Sequence, residues 1–444
     1  MFESNTTRIT ITSACSGTIT KGDKEMRVIR QNEISVLKFG GTSVKTPSRM
    51  KNVAEIVAKC ASGSKVIVVV SAMGHHTDEL VNLAAECSNN PIQREMDVLL
   101  ATGEQQSIAL LSIILNDLGV KTRSFTGAQL GIITESNFGN AEILQINRKR
   151  IESALDEYQV IVVAGFQGVT TDGDITTLGR GGSDTSAVAL AAAIGAQTCD
   201  IFTDVDGIYT ADPNKVASAT MYEQIGYTEC LELALNGAQV IHPRAVRLAQ
   251  NNGLAIRVRN TFNPENLGTL INGYQSQSEI AGITTSSGFG TVDLTLETQQ
   301  SNWEPVVREL CGHVQYIGSN SKERTGDNLP SLTLAFGGVS ENTFSELATT
   351  IARALPIRNL NWSEILDRVT VVYSPDCSSV GPYMKERMRS ILSDANIEIK
   401  FVQATKTSMS CLIASNNTER ALNLLHQGLH EFAIETARQK VSIA

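Results

Sequence analysis

The chain has 444 residues, 42% hydrophobic and 19% charged, with a formal net charge of −9. This is globular composition, enough for two or three domains at ~150 residues each. An acidic chain without a long basic run excludes nucleic acid and membrane surfaces as partners, but leaves room for a locally basic site that takes a small anion.

Residues 1–32 are rich in Ser and Thr and lack the apolar core of a secretory signal. Glu3, Asp23 and Glu25 argue against an organellar leader, so a disordered N-terminal extension is expected. The ordered pattern starts at Ile34, where ISVLKFGG reads as a buried strand ending in a tight turn. Helical spacing follows over Pro47 to Ala61. VIVVVSAMG, Val66 to Gly74, reads as a strand covered on both faces; its apolar part is far too short to span a bilayer. Helices are expected through Leu80, Leu83 and Ala84, and from Gln105 to Leu118. VIVVAGFQG (Val160 to Gly168), DIFTDVDGIY and LAIRVRNTF (from Leu254) are the next strands. Buried strands alternating with helices predict an α/β sandwich with a mostly parallel sheet, over 33–272.

Beyond that the rhythm shortens. Strands are expected at Ile280 to Leu296, Val314 to Ile317, Leu332 to Phe336, Val369 to Tyr373, Ile397 to Val402 and Ser408 to Ala414. Helices are expected at Asn342 to Leu355, Pro382 to Leu392 and about Asn417 to Phe432, with a polar loop at Ser319 to Leu329. This order predicts two α+β βαββαβ domains, 278–362 and 363–444, with the last strand a candidate to complete the first. The eight cysteines (Cys15, Cys60, Cys87, Cys199, Cys230, Cys311, Cys377, Cys411) form no CxxC pair and read as reduced thiols of a cytoplasmic protein.

Two glycine pairs carry the chemistry. KFGGTS, Lys38 to Ser43, follows a strand; GRGGSD, Gly179 to Asp184, opens a helix. Paired glycines let backbone N–H groups approach an anion, and a helix N-terminus favours negative charge. Neither loop matches GxxxxGK[ST] or GxGxxG, and each by itself reads equally as a tight turn, with Ser183 or Asp184 as a helix cap. Together, each with its cation, they suit a polyphosphate and its transfer. In FTDVDGIYTADP, Phe202 to Pro213, Asp204 and Asp206 could hold magnesium or a nucleotide, or the aspartates could serve turns. Glu104 in TGE reads either as a carboxylate at a helix start or as the receiver of a substrate ammonium. His242 in VIHPRAV reads as structural.

VLKFGGTSV, VVVSAMG with Thr77 and Asp78 behind it, TGE, GFQG, TLGRGGSDTSA, FTDVDGIYTADP and GAQVIHPRAV occur in this order. The series resembles aspartate kinase (aspartokinase), of the amino-acid kinase superfamily. The likeness covers Ile34 to Leu270, and the paired βαββαβ units resemble that family's tandem ACT domains. It implies ATP and L-aspartate as substrates, Mg2+ entering with ATP, and 4-phospho-L-aspartate as product, at the head of the lysine, threonine, methionine and diaminopimelate route. By resemblance, Lys38 stabilises the transferring phosphoryl group, with Asp184 organising Lys38 and the metal. Gly40 and Gly41 cradle phosphate, and Thr42 and Ser43 lie near the reacting groups. Glu104 takes the substrate ammonium and Arg180 its α-carboxylate, with Phe166 and Ser183 completing the pocket. Thr203, Asp204, Tyr209 and Asp212 match the nucleotide side. The substrate carboxylate is already ionised, so no general base is needed. The resemblance also implies a homodimer or higher oligomer through the ACT domains, and an amino-acid effector there (lysine, threonine or diaminopimelate).

Two departures stand out. Gln239 occupies a position that is basic in many relatives, with Arg244 and Lys215 the neighbouring cations in sequence. Neither LTLETQQSNWEP nor VYSPDCSSVGPYM matches the DxPG-type effector turn, so divergent or weakened feedback is expected. Two other readings were weighed: a kinase for a close aspartate analogue in a specialised pathway, and a non-catalytic amino-acid sensor.

Overall fold

The chain is seen in a computed structural model that describes residues 34–275, 279–297, 303–312, 314–321, 331–374 and 381–429. The expected extension at 1–32, most of the polar loop, the end of the final helix and any last strand lie outside these residues. The described chain forms two units. One comprises the chain to Ile208, Met221–Leu231 and Gln239–Gln275; the other comprises Tyr209–Thr220, Glu232–Ala238 and the chain beyond Gln275.

The first unit is built on an eight-stranded sheet. Ile34–Phe39 lies at its centre, paired in parallel with Lys65–Val70 on one side and Thr198–Thr203 on the other. Val160–Ala164 and Thr122–Phe125 extend it in parallel beyond Lys65–Val70. Beyond Thr198–Thr203, Ala255–Asn260 is parallel, and only Thr269–Asn272 and Gln224–Gly226 run the other way. Val66 to Val70 are all fully buried. Covering both faces makes a continuous β-branched run stable here, each valine side chain contributing about 1.5 kcal/mol or more. A four-stranded sheet of Ile132–Thr134, Ile143–Ile146, Gln167–Val169 and Ile175–Thr177 stands beside it.

Three expectations in this unit change. The run from Val160 to Gly168 is not one strand: it breaks at Gly165–Phe166, with Phe166 at φ 66, and the two halves join different sheets. Val66 to Gly74 is strand only to Val70. The helix expected from Gln105 runs over Gln93–Asp117, so Glu104 lies in its middle and not at its start. Its buried face carries Asp97, Ala101, Glu104, Ile108, Leu111 and Leu115. Two carboxylates on an apolar stripe concealed the 3.6-residue period. Length and composition would let this helix cross a membrane, but its buried face packs on the strands of this unit.

The Gly182–Ile194 helix is buried at 12 of its 13 positions. Small residues allow this: Ser, Thr and Ala side chains let it pack closely on the Ile34–Phe39, Lys65–Val70 and Thr198–Thr203 strands. Gly195, at φ 75, ends it, its N–H returning to the Ala191 carbonyl.

The second unit is one seven-stranded antiparallel sheet flanked by helices. Its spine is the 17-residue strand Ile280–Leu296. The first part of that strand pairs with Leu366–Tyr373; the second pairs with Ser331–Gly337 and Ile357–Trp362. The two expected βαββαβ motifs therefore share a strand. Strands begin or end later than expected at Gln315–Ser321 and Phe401–Ala404, and the last described helix covers 418–429. Ala211 and Val216 join the core of Val369, Val371, Met388 and Leu425, which is why the Tyr209–Thr220 segment folds here. His426 fixes the same segment through Thr210 (3.0 Å) and Ser218 (3.2 Å).

Candidate active site

Lys38 ends on a buried ammonium because it interrupts an otherwise apolar central strand. Its Nζ lies 2.6 Å from Asp184 Oδ1, with both side chains about one-tenth exposed. Asp184 sits in the first turn of the Gly182–Ile194 helix, where the dipole favours a carboxylate. Its other oxygen accepts from the His242 N–H at 3.4 Å. No side chain caps this helix: Gly181, at φ 67, is the N-cap. Asp184 therefore serves Lys38 and Ser183 does not cap.

After Lys38 the chain turns sharply. The Gly40 N–H donates to the Phe202 carbonyl, and the Ser43 N–H closes the turn on the Gly40 carbonyl. A Cβ on Gly41 would come within 3.0 Å of the Ala72 carbonyl oxygen. Glycine thus lets the 40–43 turn lie against the 71–74 loop. Gly40 is less constrained: a Cβ there would meet Lys38 Nζ at 3.5 Å, an ordinary contact. The Ser43 hydroxyl is committed to Thr261 Oγ1 at 2.6 Å. Thr42 is exposed and its carbonyl accepts from Arg49 at 2.6 Å.

Ala72 links this turn to Glu104, its N–H donating to Glu104 Oε1 at 2.9 Å. Glu104 is 3% exposed and its Oε2 has no hydrogen-bond partner among the described residues. Burial pushes its carboxyl up to about 7. One turn earlier on the helix, the Ala101 carbonyl accepts from the Gln167 side chain at 3.0 Å. Gln167 follows Phe166, whose N–H donates to Ser186 Oγ at 3.1 Å. Gly165 packs so closely on Ser183 that a Cβ would fall 2.7 Å from Ser183 Cβ. Lys38, Asp184, Ser183, Phe166, Glu104 and Gly41 are thus joined in one ring of contacts. Arg180 stands beside it, exposed and making no hydrogen bond or ion pair among the described residues.

On the other side of the central strand, Thr203 Oγ1 donates to the exposed Asp204 at 3.2 Å. Asp206 accepts from the Asn260 side chain at 2.9 Å. Tyr209 and Asp212 fold with the second unit; there Asp212 accepts the Asn214 N–H at 3.0 Å and lies 3.9 Å from Lys215. Gln239 is exposed. Arg244 does not replace the missing cation, because its guanidinium bonds the carbonyls of Leu178 and Ala141 and the Asn140 side chain. His242 is structural: Nδ1 caps the next helix through the Arg244 N–H, and burial lowers its pKa. Among the described residues no group of three or more His, Cys, Asp or Glu could hold a metal.

Sequence reasoning missed Asp97, Ala72, Gln167 and Thr261. Asp97 was within reach: it lies seven residues before Glu104, on the same helix face.

Residues 33–260 match the amino acid kinase family model, and 381–429 match an ACT domain model. The aspartokinase of Geobacillus stearothermophilus is 41% identical over 410 residues, covering 90% of this chain and 98% of that protein. Aspartokinase 2 of Bacillus subtilis is 39% identical over 402 residues, covering 88% and 96%. The fold matches E. coli aspartokinase III solved with lysine and aspartate, at a TM-score of 0.72 and 24% identity, covering 89% and 99%. It also matches the same enzyme solved with aspartate and ADP, at 0.69 and 23%, covering 90% and 100%. With its kinase and ACT regions both matched and a relative aligned over nine-tenths of its length, the chain belongs to the aspartokinase family.

Proposed function

We infer that this chain transfers the γ-phosphoryl group of ATP to the side-chain carboxylate of L-aspartate, giving 4-phospho-L-aspartate and ADP. The observation that carries the site assignment is the Glu104 carboxylate. It is buried, has one oxygen without a donor, and is joined through Ala72 to the glycine turn behind Lys38. A buried carboxylate oxygen lacking a partner is costly. A substrate ammonium would supply both the donor and the opposite charge.

In this reading Glu104 binds the aspartate ammonium and the free Arg180 guanidinium grips its α-carboxylate in a fork. Phe166 and Ser183 wall the pocket. The side-chain carboxylate then attacks the γ-phosphorus. The new carboxylate O–P bond forms as the bond to the bridging oxygen of ADP breaks, and no proton need move. Lys38 stabilises the charge that spreads over the transferring group, and Asp184 keeps its ammonium aimed. The Gly40 N–H is already spent on Phe202; the Gly41 N–H, which makes no bond among the described residues, is the donor left for phosphate. Ser43 shapes the turn through Thr261 instead of touching substrate.

Magnesium fits this site as a phosphate-borne ion. Mg2+ is commonly held by one or two carboxylates together with phosphates and water. Asp204, exposed and bonded among the described residues by Thr203 alone, is the open oxygen donor, with Thr203 beside it. Such an ion would neutralise phosphate charge. An amino-acid effector at the ACT region and a homodimer through ACT sheets belong to this reading through the ACT match. Cysteines free at Cys60, Cys87, Cys199, Cys230, Cys311 and Cys411 fit the cytoplasm. The intact Lys38–Asp184 pair speaks against the sensor reading.

Incubation with ATP, Mg2+, hydroxylamine and each candidate acid tests the activity. Aspartyl hydroxamate above background is expected; none, or a preference for another acid, overturns it.

A further inference from the structure

Arg180 poses a problem of position. It sits between Gly179 at φ 73 and Gly181 at φ 67, and among the described residues nothing bonds its side chain. Two such glycines make a pliant backbone, yet a carboxylate clamp must stand in one place. The segment around it is anchored instead.

Asp97 supplies the first anchor. It is fully buried, and its oxygens accept from the Thr177 N–H (2.8 Å), the Thr177 hydroxyl (2.7 Å) and the Gly139 N–H (3.0 Å). Among the described residues no cation touches it, so its binding capacity is spent on these loops. Arg244 supplies the second, through Leu178, Asn140 and Ala141. The 139–141 segment lies flush on the loop, since a Cβ on Gly179 would come within 2.8 Å of Asn140 Oδ1. His242 closes the far end against Gly181.

Asp97 and Glu104 stand on one face of a single helix, two turns and ~10 Å apart along its axis. The helix thus holds the ammonium site directly and the carboxylate site through Thr177. We propose that Asp97 and Arg244 are positioning residues that set the distance between the Arg180 and Glu104 handles, and so help to select aspartate by length. The inference rests on the assignment of Arg180 to the substrate carboxylate.

The test is steady-state kinetics on the full chain for Asp97→Asn, Arg244→Lys, Arg180→Ala and the double variant Asp97→Asn/Arg180→Ala, with aspartate and the one-methylene-longer glutamate. Asp97→Asn and Arg244→Lys should each raise KM for aspartate about tenfold or more, narrow the preference over glutamate, and leave kcat and KM for ATP within about twofold. On the Arg180→Ala background, Asp97→Asn should add nothing to KM for aspartate. Additive effects, equal losses in both KM values, or an unchanged KM for aspartate overturn the proposal. If Arg180→Ala itself leaves that KM unchanged, the assignment of Arg180 has failed instead. Should Asp97→Asn not fold, Thr177→Val, which removes one of the three donors, carries the same comparison.

Discussion

The Lys38 ammonium lies 2.6 Å from the Asp184 carboxylate, joining the central strand to the first turn of the buried helix. Neither charge is fully solvated, so each depends on the other, and the pair delivers a fixed cation to the glycine turn. Replacing Lys38 with Met should lower kcat by about 10²–10³-fold while aspartate still binds. Initial rates together with aspartate titration by calorimetry check this. Turnover within tenfold of the parent would remove Lys38 from the phosphoryl site.

Glu104 makes the free protein sensitive to pH. Its folded pKa, about 7, lies above the ordinary 4.5, so the folded state holds this proton more tightly than the unfolded chain. Below 4.5 the group makes no difference to stability. As pH rises from 4.5 to about 7 it costs an amount that levels off at about 3 kcal/mol. Glu104→Gln should flatten this fall in melting temperature between pH 5 and 8.

The same proton governs substrate. An ammonium pairs with the ionised carboxylate, so KM for aspartate should rise as pH drops below about 7, by up to tenfold per unit, with a proton released on binding below that pH and none above it. Glu104→Gln should raise KM for aspartate by about 10²-fold and abolish that pH dependence. A pH profile of kcat/KM for both forms decides it.

Arg180→Lys should weaken aspartate more than a conservative change implies, because a point charge cannot make the two-pronged contact. A several-fold rise in KM for aspartate with KM for ATP unchanged is expected. Equal effects on both substrates would count against the clamp.

Gly41→Ala tests the bridge between the two halves of the site. The new Cβ meets a backbone carbonyl, Ala72 O, at 3.0 Å, and Ala72 also holds Glu104. The turn and the 71–74 loop must part, so KM for both substrates should rise about tenfold or more. Gly63→Ala, where nothing lies within 4 Å of the new Cβ, is the neutral control.

Local pattern carried much of this protein. The apolar run at Val66–Val70 and the glycine pairs Gly40–Gly41 and Gly181–Gly182 are short-range signals, and the parallel sheet and both loops were legible from them. So were Lys38 and Asp184, through motif order. Other elements were not legible for identifiable reasons. The Gln93–Asp117 helix hides its period because Asp97 and Glu104 occupy core positions, where partners far along the chain accept them: Thr177 for one, Ala72 for the other. Phe166 breaks a strand because its backbone serves Ser186 and Leu178. Asp206, Arg244 and Ser43 resemble ligands in sequence and are consumed by Asn260, backbone carbonyls and Thr261.

Residue order alone, then, was enough for the α/β architecture and the family, since these depend on periodicity and on motifs only a few residues long. Which charges remain available was settled by the folded chain. Whether a carboxylate oxygen is left without a donor among the described residues, as at Glu104, or an arginine is spent on carbonyls, as at Arg244, depends on neighbours 32 to 104 residues away in sequence, and no local pattern records them.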